Sequence, residues 1–109
     1  MLIAVASTDG KEINEHFGMA QRFLIYEVNG DDVVLRGEKA VERYCSDDPD
    51  HALRKPVIEG IAATLEGCRA ILCAQIGPAP QMELERLGIE VFSVAGPLPR
   101  TVVEMAKVL

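Results

Sequence analysis

The spacing of apolar residues changes period partway along the chain, and the two halves predict different elements. Residues 2–6 form a short apolar run and read as a first strand. Thr8-Asp9-Gly10 is a turn signal opening a polar loop over 8–19, which its length and polarity predict to be mobile. Residues 22–28, rich in aromatic and β-branched side chains, read as a second strand. Asn29-Gly30-Asp31 is a hairpin signal, and 33–41 continues as an antiparallel third strand. A polar loop over 44–50 carries Cys45 and Pro49. Beyond it Val57, Ile58, Ile61, Ala62 and Leu65 recur with helical spacing, with Pro56 suited to the first turn and Gly67 to the end. Residues 70–76, apolar but for Gln75, lie between Gly67 and Gly77 and read as a buried central strand. A short helix over 81–87 stops at Gly88, 89–94 is a fifth strand, 96–99 a loop and 100–109 a final helix.

This order, three strands and then alternating helices and strands, predicts a three-layer α/β fold with a mixed five-stranded sheet, built as a single domain over 1–109. Let the first, fourth and fifth strands be parallel and the second run against the first. The loops after the first, third, fourth and fifth strands then share one edge. That edge gathers His16, Cys45 with His51, the Gly77-Pro78-Ala79-Pro80 turn and the 96–99 loop. Ligands of open α/β sheets bind outside the carboxyl ends of the strands. Cys68 falls on the opposite edge and reads as structural, and Cys73 lies within a strand and reads as core.

Charge and composition then narrow the function. A net charge of −6, with lysines and arginines scattered among acidic residues, argues against nucleic acid as a partner. No apolar run approaches the roughly 20 residues needed to span a bilayer, so no membrane partner is expected. The start of the chain reads as a strand and not as a secretory leader, which makes the cytoplasm the expected location. Three cysteines, Cys45, Cys68 and Cys73, form no CxxC pair and are too few for a self-sufficient iron–sulfur site.

The candidate chemistry centres on Glu15-His16-Phe17-Gly18, where the polar loop meets the second strand. Imidazole is the commonest transition-metal ligand, and glycine permits close approach of a bulky group to the backbone. The same residues also describe a loop histidine packing its ring on Phe17. Cys45 is either a soft thiolate ligand or an exposed thiol, and His51 either a ligand or a solvated loop residue. Asp9, Glu12 and Glu15 are candidates to orient the His16 ring. The Asp47-Asp48-Pro49-Asp50 run lacks calcium-loop spacing. The helix after Gly77 has an N-terminus able to offer N–H groups to an anion. No nucleophile elbow or acid/base carboxylate pair is present, so no enzymatic activity is read from the residues.

The stretch Glu15-His16-Phe17-Gly18-Met19-Ala20-Gln21-Arg22-Phe23-Leu24-Ile25-Tyr26-Glu27-Val28 resembles the nitrogenase iron–molybdenum cofactor-binding proteins of the NifX/NafY type, a domain also found at the C-terminus of NifB and in orange-protein-like relatives. The resemblance extends through Ile3-Ala4-Val5-Ala6-Ser7, Tyr44-Cys45, Leu65-Glu66-Gly67-Cys68, the 70–77 segment and Leu87-Gly88-Ile89-Glu90-Val91. It implies a ribonuclease-H-like fold and a non-enzymatic carrier. The cargo implied is an iron–sulfur or iron–molybdenum (molybdenum–sulfur) cluster, exchanged with donor and acceptor proteins of cofactor assembly. It implies metal ligation by His16 and Cys45, at a cofactor-binding site of His16, Phe17, Gly18 and Gly77. Two alternatives stand beside it: a metal-dependent nuclease on the same fold, and a regulatory interaction module whose site is vestigial.

Overall fold

The structure, a computed structural model, describes residues 1–44 and 54–109. The described residues form seven strands: β1 (Leu2–Val5), β2 (Glu12–Ile13), β3 (Arg22–Asn29), β4 (Asp32–Ala40), β5 (Cys68–Cys73), β6 (Glu90–Ser93) and β7 (Gly96–Pro97). The helices are α1 (Lys55–Thr64), α2 (Pro78–Arg86) and α3 (Arg100–Ala106), and Phe17–Met19 is a single 3-10 turn.

Five strands make one mixed sheet in the order β4-β3-β1-β5-β6. β1 runs antiparallel to β3 and parallel to β5, β5 runs parallel to β6, and β3 and β4 form an antiparallel hairpin. Asn29 and Asp32 pair across the hairpin end, where Gly30 takes φ +62°, a conformation that costs glycine little. The mixed five-stranded sheet expected from the hydrophobic pattern is therefore present.

Alternation in β1 sorts the layers. Ala4 and Ala6 face a core shared with Ile58, Ile61 and Leu65 of and after α1, Leu84 of α2, and Ile71 and Cys73 of β5. Ile3 and Val5 face the opposite core, with Leu24, Tyr26, Val28, Leu72 and Val102 of α3. Helices thus cover both faces, giving three layers.

Among the boundaries that differ from the sequence reading, three bear on the site, and the final helix ends at Ala106 and not at 109. The central strand spans Cys68–Cys73 and not 70–76. Past Cys73 the Ala74 N–H donates to the Glu15 carbonyl at 2.9 Å, so the chain leaves β6 and pairs with the first long loop. The helix placed at 81–87 begins at Pro78, because proline at a helix start has no N–H left unpaired. The 8–19 segment is not a bare loop: Glu12–Ile13 pairs with Gly96–Pro97 as a two-stranded ribbon, β2–β7, and Leu98 N–H donates to the Lys11 carbonyl at 2.8 Å.

Candidate functional site

The segment after β1 is held by its own polar side chains before it reaches the sheet edge. Ser7, only 4% exposed, donates from Oγ to the Glu12 carbonyl at 2.6 Å and accepts from Gly10 N–H at 2.9 Å. Asp9 Oδ1 accepts from Lys11 N–H at 2.9 Å and Glu12 N–H at 3.2 Å, and Asn14 Oδ1 from Thr8 N–H at 2.8 Å. The Lys11 N–H, followed by that of Glu12, holds the Asp9 carboxyl below the usual aspartate value. Ile13 then enters the α3-side core at 1% exposure.

Residues 15–17 run beside 74–75 like a short parallel extension of the sheet. Phe17 N–H donates to the Gln75 carbonyl at 2.9 Å, and His16 and Gln75 form a parallel bridge. Phe17 is 1% exposed, with its ring 6.0 Å from those of Phe23 and Tyr44. Burying a phenylalanine stabilises by roughly 1.5–3 kcal/mol, so this one residue pins the turn firmly. The expectation that few buried contacts fix 8–19 is corrected here: Ile13 and Phe17 anchor the segment on opposite faces of the sheet.

His16 is consequently set at the carboxyl edge, half-buried, beside the ends of β1 and β5. These parallel neighbours send their connections apart. β1 leads to β3 on one side, and β5 leads through α2 to β6 on the other. Such a divergence is where open α/β sheets bind ligands. The Phe17 ring turns inward, toward Phe23 and Tyr44. The His16 Nδ1 accepts from Gly18 N–H at 2.9 Å, making His16 the N-cap of the 3-10 turn. Asp9 is occupied by its own loop, so the ring is oriented by backbone and not by that carboxylate.

The other expected site residues fall out as follows. Phe17 supports the site from below, because its buried ring presents no face at the surface. Gly18 is buried and supplies the N–H that holds the imidazole. Gly77 is the N-cap of α2 at φ −72° and ψ 158°, and a methyl there would meet Pro80 only in ordinary contact. Cys45 and His51, with the acidic run 47–50, lie outside the described residues. Cys68 and Cys73 are buried free thiols. Burial pushes both up, Cys73 to about 11, so neither supplies a ready thiolate. Among the described residues no three His, Cys, Asp or Glu side chains converge as a metal-holding group. The described carboxylates therefore do not form the magnesium cage that a nuclease on this fold needs. Pattern in the sequence does not single out Ser7 or Gln75. Ser7 has a legible signal only in the Ser-Thr-Asp-Gly turn, whereas Gln75 acts through its carbonyl, which any residue carries.

A family model described as dinitrogenase iron-molybdenum cofactor matches residues 1–108. Among curated proteins, the FeMo cofactor biosynthesis protein NifB of Azotobacter vinelandii is 38% identical over 90 residues, covering 83% of this chain and 18% of that protein. NifB of Frankia alni is 32% identical over 105 residues, covering 96% and 21% respectively. The chain thus spans about a fifth of the length of these relatives. The crystal structure of PH0822 superposes with a TM-score of 0.66 at 22% identity, covering 98% of this chain and 89% of that one, and so shares the fold. No described helix is long and apolar enough to cross a membrane. The match over nearly every residue places the chain in the dinitrogenase iron-molybdenum cofactor family.

Proposed function

We propose that this domain, taken as one unit over 1–109, is a non-enzymatic carrier that holds a metal–sulfur cluster as cargo at the carboxyl edge of its sheet. His16 supplies an imidazole ligand, and Cys45 is proposed as a thiolate ligand. The observation that carries the reading is the placement of His16. A half-exposed imidazole is fixed by the Phe17–Gln75 hydrogen bond at the point where the connections of β1 and β5 diverge.

The donor set suits cargo. A cluster brings its own bridging sulfides, so a carrier needs few protein ligands, and few ligands also permit release. With a net charge of −6 the chain repels an anionic cluster at a distance, so capture depends on local ligation and delivery by a donor protein. Donor and acceptor proteins of cofactor assembly are the partners proposed, in the reducing cytoplasm. Gly77 borders the same edge through the start of α2.

Anaerobic incubation of the purified chain with ferrous iron and sulfide, or with tetrathiomolybdate, tests the reading. Bound metal per chain and a visible sulfur-to-metal absorption band are expected. A chain that emerges from desalting free of metal under both conditions contradicts the carrier role and favours the vestigial-module alternative.

A further inference from the structure

The hydrogen bond on the His16 ring has a consequence for loading, and it rests on the reading of His16 as a ligand. Nδ1 accepts from Gly18 N–H at 2.9 Å. In a neutral imidazole one nitrogen accepts and the other carries the proton, so Nε2 is N–H here. A metal needs a ring nitrogen with a free lone pair, and in this arrangement neither has one. Two routes open the ring. Nδ1 itself binds the metal, Nε2 keeps its proton, and Gly18 N–H loses its acceptor. Alternatively the proton passes through water from Nε2 to Nδ1, and Nε2 binds the metal. Nδ1 is then a donor facing the Gly18 donor. The ring stays neutral and the proton count is unchanged in both routes. In both, the Gly18 bond breaks.

We propose that cargo ligation by His16 and the Gly18 N–H···Nδ1 hydrogen bond are mutually exclusive, so that this bond is a latch holding the empty site closed. The latch is part of a larger turn. Met19 N–H donates to the His16 carbonyl at 3.0 Å and Ala20 N–H to the Phe17 carbonyl at 3.2 Å. Phe17 is buried and paired with Gln75, so opening is confined to the His16 ring and the amide of Gly18. Because the empty state regains a hydrogen bond, the latch weakens cargo retention by about 2- to 10-fold, the equivalent of one ordinary net hydrogen bond. Such weakening suits a protein that must give its cargo up.

His16→Asn separates the two roles. An asparagine carbonyl is a preferred N-cap acceptor and keeps the Gly18 bond, but it brings no imidazole. The parent and this variant are loaded anaerobically with ferrous iron and sulfide, and amide exchange is followed at Gly18 with Ile13 as internal reference. In the parent, loading is expected to speed Gly18 exchange about 10-fold while Ile13 is unchanged. The variant is expected to keep Gly18 protected and to retain about 10-fold less cluster than the parent, or less still. A loaded parent whose Gly18 amide stays as protected as in the empty protein overturns the latch and leaves His16 ligation standing. A variant that retains cluster as well as the parent, or a parent that takes up none, overturns the His16 carrier reading itself.

Discussion

The backbone N–H of Phe17 donates to the carbonyl of Gln75 at 2.9 Å, tying the loop after β1 to the chain leaving β5. The Phe17 side chain is buried in one core and that of Ile13 in the other. The Phe17 and Ile13 amides are therefore expected to exchange far more slowly than those of Thr8 or Lys11, whose residues are exposed. Native-state hydrogen exchange on the empty protein checks this. Uniformly fast exchange across 8–19 would mean the anchors do not hold.

Gly96 offers a remote handle on the same segment. It pairs with Ile13 in the β2–β7 ribbon at φ +150°, and an added Cβ would collide with Thr101 Oγ1. Gly96→Ala is expected to cost about 1–3 kcal/mol as backbone strain and to loosen Glu12 and Ile13. A lowered urea midpoint with faster exchange at Ile13 is the expected result. A wild-type midpoint would show that the ribbon yields without cost.

Acid should weaken the loop through Asp9. Its carboxyl lies below the ordinary value of 3.8 because the Lys11 N–H, then that of Glu12, donates to the ionised form. The unfolded chain therefore binds a proton at a higher pH than the folded one. The stability from this carboxylate is complete above the ordinary value and is lost as pH falls through the lowered one. Urea midpoints between about pH 5 and about pH 2 should fall less steeply in Asp9→Asn than in the parent. Equal slopes would remove Asp9 from the account, leaving Glu83, lowered by its bond to Arg86, among the acid-sensitive groups.

Cys73 should prove structural. It is fully buried, its thiol is pushed up to about 11, and its Sγ lies 3.8 Å from the Phe92 carbonyl. A serine Oγ sits closer to its own Cβ and leaves that carbonyl out of hydrogen-bond range. Cys73→Ser is expected to cost about 1–3 kcal/mol for an unsatisfied hydroxyl without changing metal uptake. Thermal melting and metal content read the two effects separately. Lost uptake in a stable variant would make Cys73 a ligand.

The sheet was legible in the sequence because each of its strands is written locally. Val33 follows the Asn29-Gly30 turn, and Cys68 follows Gly67 at the end of a helical period. The carboxyl-edge position of His16 followed from strand direction alone. The loop was not legible, because its anchors are single apolar residues, Ile13 and Phe17, in a polar setting. Their partners, Gly96 and Gln75, lie far along the chain. The end of β5 was misplaced for a related reason. Ala74, Gln75 and Ile76 continue a run that contains no stop signal, and the competing partner at Glu15 decides where the ladder ends. The tautomer of His16 depends on the Gly18 geometry and is invisible to pattern.

His16→Ala tests the central claim most directly. The substitution removes the imidazole and the N-cap together. The empty protein should lose about 1 kcal/mol, or about 4–8 °C in melting temperature, and remain folded. Metal per chain after anaerobic loading and desalting should fall about 10-fold or more relative to the parent, in line with the affinity lost when even supporting groups of a metal site are removed. Retention equal to the parent in a folded His16→Ala protein would contradict ligation by His16 and the account built on it.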